Sequence, residues 1–120
     1  MEWNDNVEPF DFVNDFNPEA PLPIKHRGSF DFLTVILKDH SMFDRYFKED
    51  LLNIRLQDHC DDGQEALVVI NGQKVTLRIY KKEGDNVTLI PFNKEFYTVE
   101  TFPSSQVQIL GVVQNAVRIK

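Results

Sequence analysis

The stretch 66-ALVVINGQKVTLRIY-80 decides how the rest of the chain is read. Two apolar runs flank the dipeptide 71-NG-72. Asn-Gly suits a two-residue type I′ turn, because both turn residues need positive φ. The spacing therefore predicts a β-hairpin. On its second strand Val75, Leu77 and Ile79 share one face, and Thr76, Arg78 and Tyr80 share the other.

Outward from the hairpin the pattern stays extended. The run 30-FDFLTVIL-37 is β-branched and aromatic, and 51-LLNIRL-56 alternates apolar and polar positions. Polar turns are expected at 57-QDHCDDGQ-64 and 83-EGDN-86, followed by a strand at 87-VTLI-90 and a closing one within 107-VQILGVVQNAVRIK-120. Only 43-FDRYFKED-50 has room for a helical turn. The fold class expected is mainly β, with twisted antiparallel sheets, hairpins and little helix.

The 120 residues suffice for one domain with one core. No apolar run reaches the roughly 20 residues that cross a bilayer, and 1-MEWNDNVEPF-10 has no leader-like pattern, so a cytoplasmic location and no membrane partner are expected. The single cysteine, Cys60, gives neither a disulfide nor a metal-ligand pattern, and no cofactor or metal is expected. Net charge is −6, unevenly spread. Residues 1–21 hold Glu2, Asp5, Glu8, Asp11, Asp15 and Glu19 and no Lys or Arg; removing these six from 19 acids leaves 13 against 13 bases. Such a body lacks the basic stripe of a nucleic-acid binder, so DNA contact is expected only through a separate domain.

Residues 1–21, closing on the proline-punctuated 18-PEAPLP-23, read as an acidic flexible tail or linker, with the folded domain over 22–120. The tail carries Trp3, Phe10, Phe12 and Phe16, more aromatic than a solvated linker requires. These four are candidate docking residues, for the body or for a partner.

The chemistry points to 39-DHSM-42. A serine hydroxyl is a nucleophile only with a base beside it, and one such base is a lysine amine kept neutral by burial. Ser41 is expected at the end of a strand with its hydroxyl exposed, and position 78 on the hairpin is placed to reach back to it. His40 is expected to face away from that hydroxyl, since neighbours on a strand point to opposite faces. The acidic neighbours of Cys60 should raise its pKa and dull it.

In these features the chain resembles the C-terminal domains of LexA-type repressors, phage repressors and UmuD-like proteins, the Ser-Lys self-cleaving peptidases. The similarity spans about residues 32–119 in one order: 39-DHSM-42 for the family's Gly-Asp-Ser-Met, 48-KEDLLNIR-55 for its acidic strand start, 62-DGQEALVVINGQKVTLRI-79 for its hairpin, 89-LIPFN-93 for Leu-x-Pro-x-Asn, and 109-ILGVVQNAVR-118 for its closing strand. The resemblance implies a nucleophile at Ser41, but Arg78 stands where the family has its general-base lysine, and a guanidinium keeps its proton. Asp39 and His40 replace the glycine and aspartate before the serine. No Ala-Gly or Cys-Gly bond precedes Ser41, the nearest glycine bond being Arg27-Gly28. Ser41 and Arg78 are thus expected to be vestigial, a pseudo-peptidase pair, with Arg78 either plugging the old lysine pocket or lying at its edge with its head in water.

The expectation is a dimerisation and regulatory domain of a phage-type transcriptional repressor, inactive in self-cleavage and blind to the family's RecA-triggered switch. Its partners would be itself, as a homodimer or higher, through Val107, Ile109, Leu110, Val112 and Val113, and an antirepressor protein as the off-switch. No helix-turn-helix precedes the domain in these residues. The alternatives are a self-processing serine peptidase with an unrecognised base, and a stand-alone binding protein that acts through the acidic tail.

Overall fold

A computed structural model describes residues 9–117. Eight strands join in one antiparallel sheet: β1 (Lys25–Arg27), β2 (Phe30–Ile36), β3 (Leu51–Leu56), β4 (Glu65–Ile70), β5 (Lys74–Glu83), β6 (Asn86–Ile90), β7 (Glu100–Pro103) and β8 (Val107–Val117). Their spatial order is β1-β2-β3-β8-β4-β5-β6-β7. A 3-10 turn at Ser104–Gln106 leads into β8. Among the described residues no helix is long and apolar enough to cross a membrane.

The hairpin forms where the sequence places it, with Asn71 and Gly72 at φ 53° and 69°. Its loop is longer by one residue than the turn expected. Ile70 pairs with Lys74, so Gln73 joins the loop, its N–H donating to the Ile70 carbonyl at 3.0 Å. The face assignment is unaffected. Leu67, Val69, Val75 and Leu77 enter one core cluster, with Phe12, Leu33, Val35, Leu37, Met42, Leu52 and Ile54. Ala66, Val68, Ile70 and Tyr80 enter a second, with Val87 and Leu89. Both faces of the central hairpin are therefore covered, which explains its nearly unbroken apolar run.

β8 runs down the middle of the sheet, paired with β3 on one side and β4 on the other. Both ladders shift register along it, and Gly111 sits opposite both Leu56 and Leu67. A Cβ there would lie 2.3 Å from the Arg55 carbonyl oxygen, so only glycine fits. The central position also accounts for the apolar character of β8. Val107 and Ile109 pack on the second cluster, Leu110 and Val113 on the first, and Val112 is buried.

The segment 43–50 forms successive turns, one of them a single helical turn in which the Tyr46 N–H donates to the Met42 carbonyl at 2.8 Å. The edge strands β1 and β7 carry no apolar alternation that would announce them. Part of the N-terminal stretch is packed on the body. Phe10 bridges in parallel to Val35, taking the edge of β2 beyond the reach of β1, and Phe12 is 2% exposed in the first core cluster. Phe16 packs against the same cluster. Trp3 lies outside the described residues.

Candidate functional site

Ser41 is not on a strand. β2 ends at Ile36, and Ser41 lies in the loop that returns to β3, held from several directions. Met42 anchors the loop in the core with no exposed surface. Lys38 pairs with Glu49 at 3.1 Å across the loop's neck, while the Arg45 Nε–H and the Tyr46 hydroxyl both donate to Glu65 at the start of β4. Burial pushes the Tyr46 hydroxyl up to about 12, and the bond to Glu65 adds to the rise.

A second loop, 91–97, clamps the first from above. Asn93 N–H donates to the Ser41 carbonyl at 2.9 Å and Asn93 Nδ2 to the His40 carbonyl at 3.0 Å. The His40 N–H in turn donates to the Tyr97 hydroxyl at 3.2 Å. As a result Ser41 is 1% exposed, where the sequence suggested an accessible hydroxyl. The clamp residues Asn93 and Tyr97 were not among the candidates. Asn93 carried a signal, as the last residue of 89-LIPFN-93, but its role depends on a contact over 50 positions away that no local pattern reveals.

The Ser41 hydroxyl donates to Asp39 Oδ1 at 2.7 Å, and the Ser41 N–H donates to the same oxygen at 3.1 Å. The partner is thus a carboxylate two residues away, not an amine or an imidazole. The His40 residue is exposed, and no hydrogen bond joins its ring to Ser41.

Arg78 lies on β5, 8% exposed, and shares with Asp39 a cavity of about 340 Å³. The other walls are Thr76 and Lys74 from the same strand, Tyr97 from the clamp, and Phe12, Val13 and Phe16 from the N-terminal segment. Its Nη1 donates to the neighbouring Leu77 carbonyl at 2.8 Å, and its Nε–H is buried with no acceptor. Among the described residues no carboxylate forms an ion pair with it; the guanidinium carbon lies 5.7 Å from the Tyr97 ring centre. Burial pulls the Arg78 pKa down, against the opposing pull of Asp39, Glu100 and Tyr97. A guanidinium starts so far above neutrality that the side chain remains a cation.

Beside the clamp, Phe43 and Phe96 line a shallow groove with His40, Asn93 and Tyr97. Cys60 lies away from these groups, its thiol pushed up to about 11 by burial and then by Asp61 and Asp62. Among the described residues no three His, Cys, Asp or Glu side chains come together as metal ligands.

Comparison with known proteins finds relatives along most of the chain. The chain is 26% identical over 118 residues to a LexA repressor of Petrotoga mobilis, covering 96% of this chain and 56% of that one. It is 31% identical over 112 residues to a LexA repressor of Thermotoga petrophila, covering 92% and 55%, and 27% identical over 104 residues to one from Granulibacter bethesdensis, covering 86% and 43%. The chain thus spans about half the length of these curated relatives. A Peptidase S24-like profile matches residues 10–114, beginning at the Phe10 that bridges to β2. On that match the chain belongs to the Peptidase S24-like family.

Proposed function

We propose that this chain is the regulatory and self-associating domain of a phage-type transcriptional repressor, and that it does not cleave itself. One observation carries the second half of the reading: the Ser41 hydroxyl is bonded to the Asp39 carboxylate, while the position resembling the family's lysine holds a guanidinium. A carboxylate is a far weaker base than an amine, and a guanidinium cannot accept a proton at all. The burial of Ser41 under the clamp also supports the reading, since a peptide carbonyl needs an open path to the nucleophile.

Membership of the family and the repressor relatives support the regulatory role, and the match to about half of each relative fits a domain that works beside a separate DNA-binding one. DNA is then contacted only through that other domain, in the cytoplasm. Self-association would use the flank of β8, where Val107, Ile109, Leu110 and Val113 keep part of their surface; Val112 is too buried to contribute. Without cleavage as an off-switch, release from DNA would need an antirepressor protein that binds the body.

The test is incubation at about pH 10, where even an unperturbed lysine-type base would be about a quarter deprotonated. Intact mass should stay at that of the full chain over days, in the wild type and in Ser41→Ala alike. A shorter product that disappears in Ser41→Ala overturns the inactive reading. Sedimentation across concentrations reads self-association separately, and a monomer throughout would remove it.

A further inference from the structure

The oddest group in the molecule is the Arg78 guanidinium. A buried polar group is normally bonded, and one left unpaired is costly, more so when charged. Here the cation is more than nine-tenths buried and spends Nη1 on the carbonyl of the residue before it. That leaves the opposite edge of the planar fork, Nε with Nη2, and Nε has no acceptor. This edge presents two parallel N–H groups, the arrangement that matches the two oxygens of a carboxylate.

The surroundings fit the same chemistry. Lys74, exposed on the same strand, adds a second positive charge at the rim, and the Thr76 hydroxyl and Gln73 offer further polar groups. Phe12, Val13, Phe16 and Val75 supply apolar wall, with the Tyr97 ring beside the guanidinium. Among the described residues Asp39 is the one acid lining the cavity, and one of its oxygens already holds the Ser41 hydroxyl and amide. Glu100 also acts on Arg78 from outside the cavity wall, so two cations face two carboxylates and a dianion is disfavoured against a single negative charge. A volume of about 340 Å³ lies at the small end of ligand sites, room for one aromatic acid but not for a folded partner.

We infer that the cavity walled by Arg78, Lys74, Thr76, Tyr97, Phe12 and Phe16 is a binding site for a small organic monocarboxylate with an apolar or aromatic body. The carboxylate takes the free edge of the Arg78 fork, and the body lies among the rings of the N-terminal segment. Nε itself has almost no accessible surface, so the acid has to displace part of the cavity wall to reach it. The inference does not depend on the repressor reading, since it concerns what the cavity holds and not what the domain regulates.

Titration calorimetry of the full chain at neutral pH tests it, with hydrocinnamate as the probe, its neutral amide hydrocinnamamide as the control, and inorganic phosphate as a separate arm. Hydrocinnamate should bind saturably below about 10 mM and at least about tenfold more tightly than the amide or phosphate. Arg78→Met should abolish the preference for the acid, and Lys74→Met, at the exposed rim, should weaken it severalfold while leaving the fold intact. Equal binding of acid and amide overturns the inference, as does an unchanged affinity in a folded Arg78→Met chain. Tighter binding of phosphate would make the site one for inorganic anions. Tighter binding of a peptide with a free C-terminal phenylalanine would assign it to a chain end; either result rejects the ligand class proposed.

Discussion

Replacing Arg78 by methionine should stabilise the domain. The two side chains have similar reach, so the cavity wall is kept while the charge goes. In the native chain the guanidinium has lost nearly all contact with water, forms no ion pair among the described residues, and leaves Nε unsatisfied. Desolvating an ion in a protein costs several kcal/mol even after relaxation, and exchanging buried charge for packed apolar groups commonly gains about 1–4 kcal/mol. Against this stands the loss of the Nη1 bond to Leu77, a charge-assisted contact worth about 1.5–3 kcal/mol when formed, of which part is recovered because the carbonyl keeps its other lone pair. The nearby Asp39 also loses its attraction to the cation, which trims the gain. A net stabilisation of about 1–2 kcal/mol remains. At about 2.1 cal/mol/K of unfolding entropy per residue, a chain of this size gains roughly 4 °C in Tm per kcal/mol, so the midpoint should rise by about 4–8 °C. Thermal and urea unfolding at neutral pH, followed by circular dichroism, measure it. A fall in midpoint would refute the reasoning, because it would mean that the cation is a satisfied structural plug. A rise would mean that the native protein gives up stability to keep a charge in its cavity, which is typical of a binding site.

Gly111→Ala should be among the most damaging single substitutions. A Cβ placed 2.3 Å from the Arg55 carbonyl forces β3 and β8 apart at the centre of the sheet, costing about 3 kcal/mol or more in a urea midpoint; a change below about 1 kcal/mol would show that the strands separate freely. Cys60, with its thiol at about 11 against an ordinary 9, should carry about a hundredfold less thiolate than an open cysteine near pH 8, so a disulfide reagent should modify it far more slowly in the native chain than in denaturant. Equal rates would place the thiol in open solvent. Tyr46, raised from 10.0 to about 12, favours its protonated form in the fold. Its contribution is complete below about pH 10 and is lost as the pH rises through 12, so Tyr46→Phe should flatten the fall in stability over that window and cost about 1 kcal/mol at neutral pH. An unchanged alkaline slope in Tyr46→Phe would assign that fall to other groups.

The parts of the fold legible in the sequence are those governed by local rules. Asn71-Gly72 announces its turn because the backbone there must take positive φ, and the alternation after it assigns Leu77 and Arg78 to opposite faces. Even so, the register of that turn depended on Gln73, whose place in the loop is decided by pairing across the strands. β1 and β7 escaped notice for the opposite reason: edge strands with exposed faces need no apolar pattern. β8 shows the ambiguity of an apolar run. Val107 and Ile109 pack on the second cluster and still keep part of their surface, so one apolar run serves both the core and an open flank. At the site, Ser41 and Arg78 were readable as candidates through their resemblance to a known pattern, while Asp39, which bonds Ser41 and lines the cavity with Arg78, was legible only as a departure from it. What no reading of the chain could supply was the Asn93–Tyr97 clamp, built by contacts between distant loops.

The two departures at the site, Asp39 where the resemblance implies glycine and Arg78 where it implies lysine, are physically coupled. This coupling predicts the outcome of trying to reverse them. A lysine acts as a base at neutral pH only if burial lowers its pKa, and burial does so only where no opposite charge stands close enough to restore the charged form. Asp39 lines the same cavity as position 78 and already pulls the pKa of the arginine there upward. The amine introduced by Arg78→Lys would therefore meet a carboxylate and hold its proton. Burial outweighs that pull at Arg78, so the pKa of the lysine should fall below its ordinary 10.4, but only modestly while Asp39 is present. Adding Asp39→Gly removes that carboxylate and also frees the Ser41 hydroxyl, so in the double variant the same burial should take the amine down by about 2–3 units. Reductive methylation with labelled formaldehyde, followed by NMR titration of the modified amine, reads both values directly and needs no cleavage to occur. If the amine of the single variant already titrates as low as that of the double, Asp39 does not control the charge at position 78, and the serine lacks a base only because an arginine stands there.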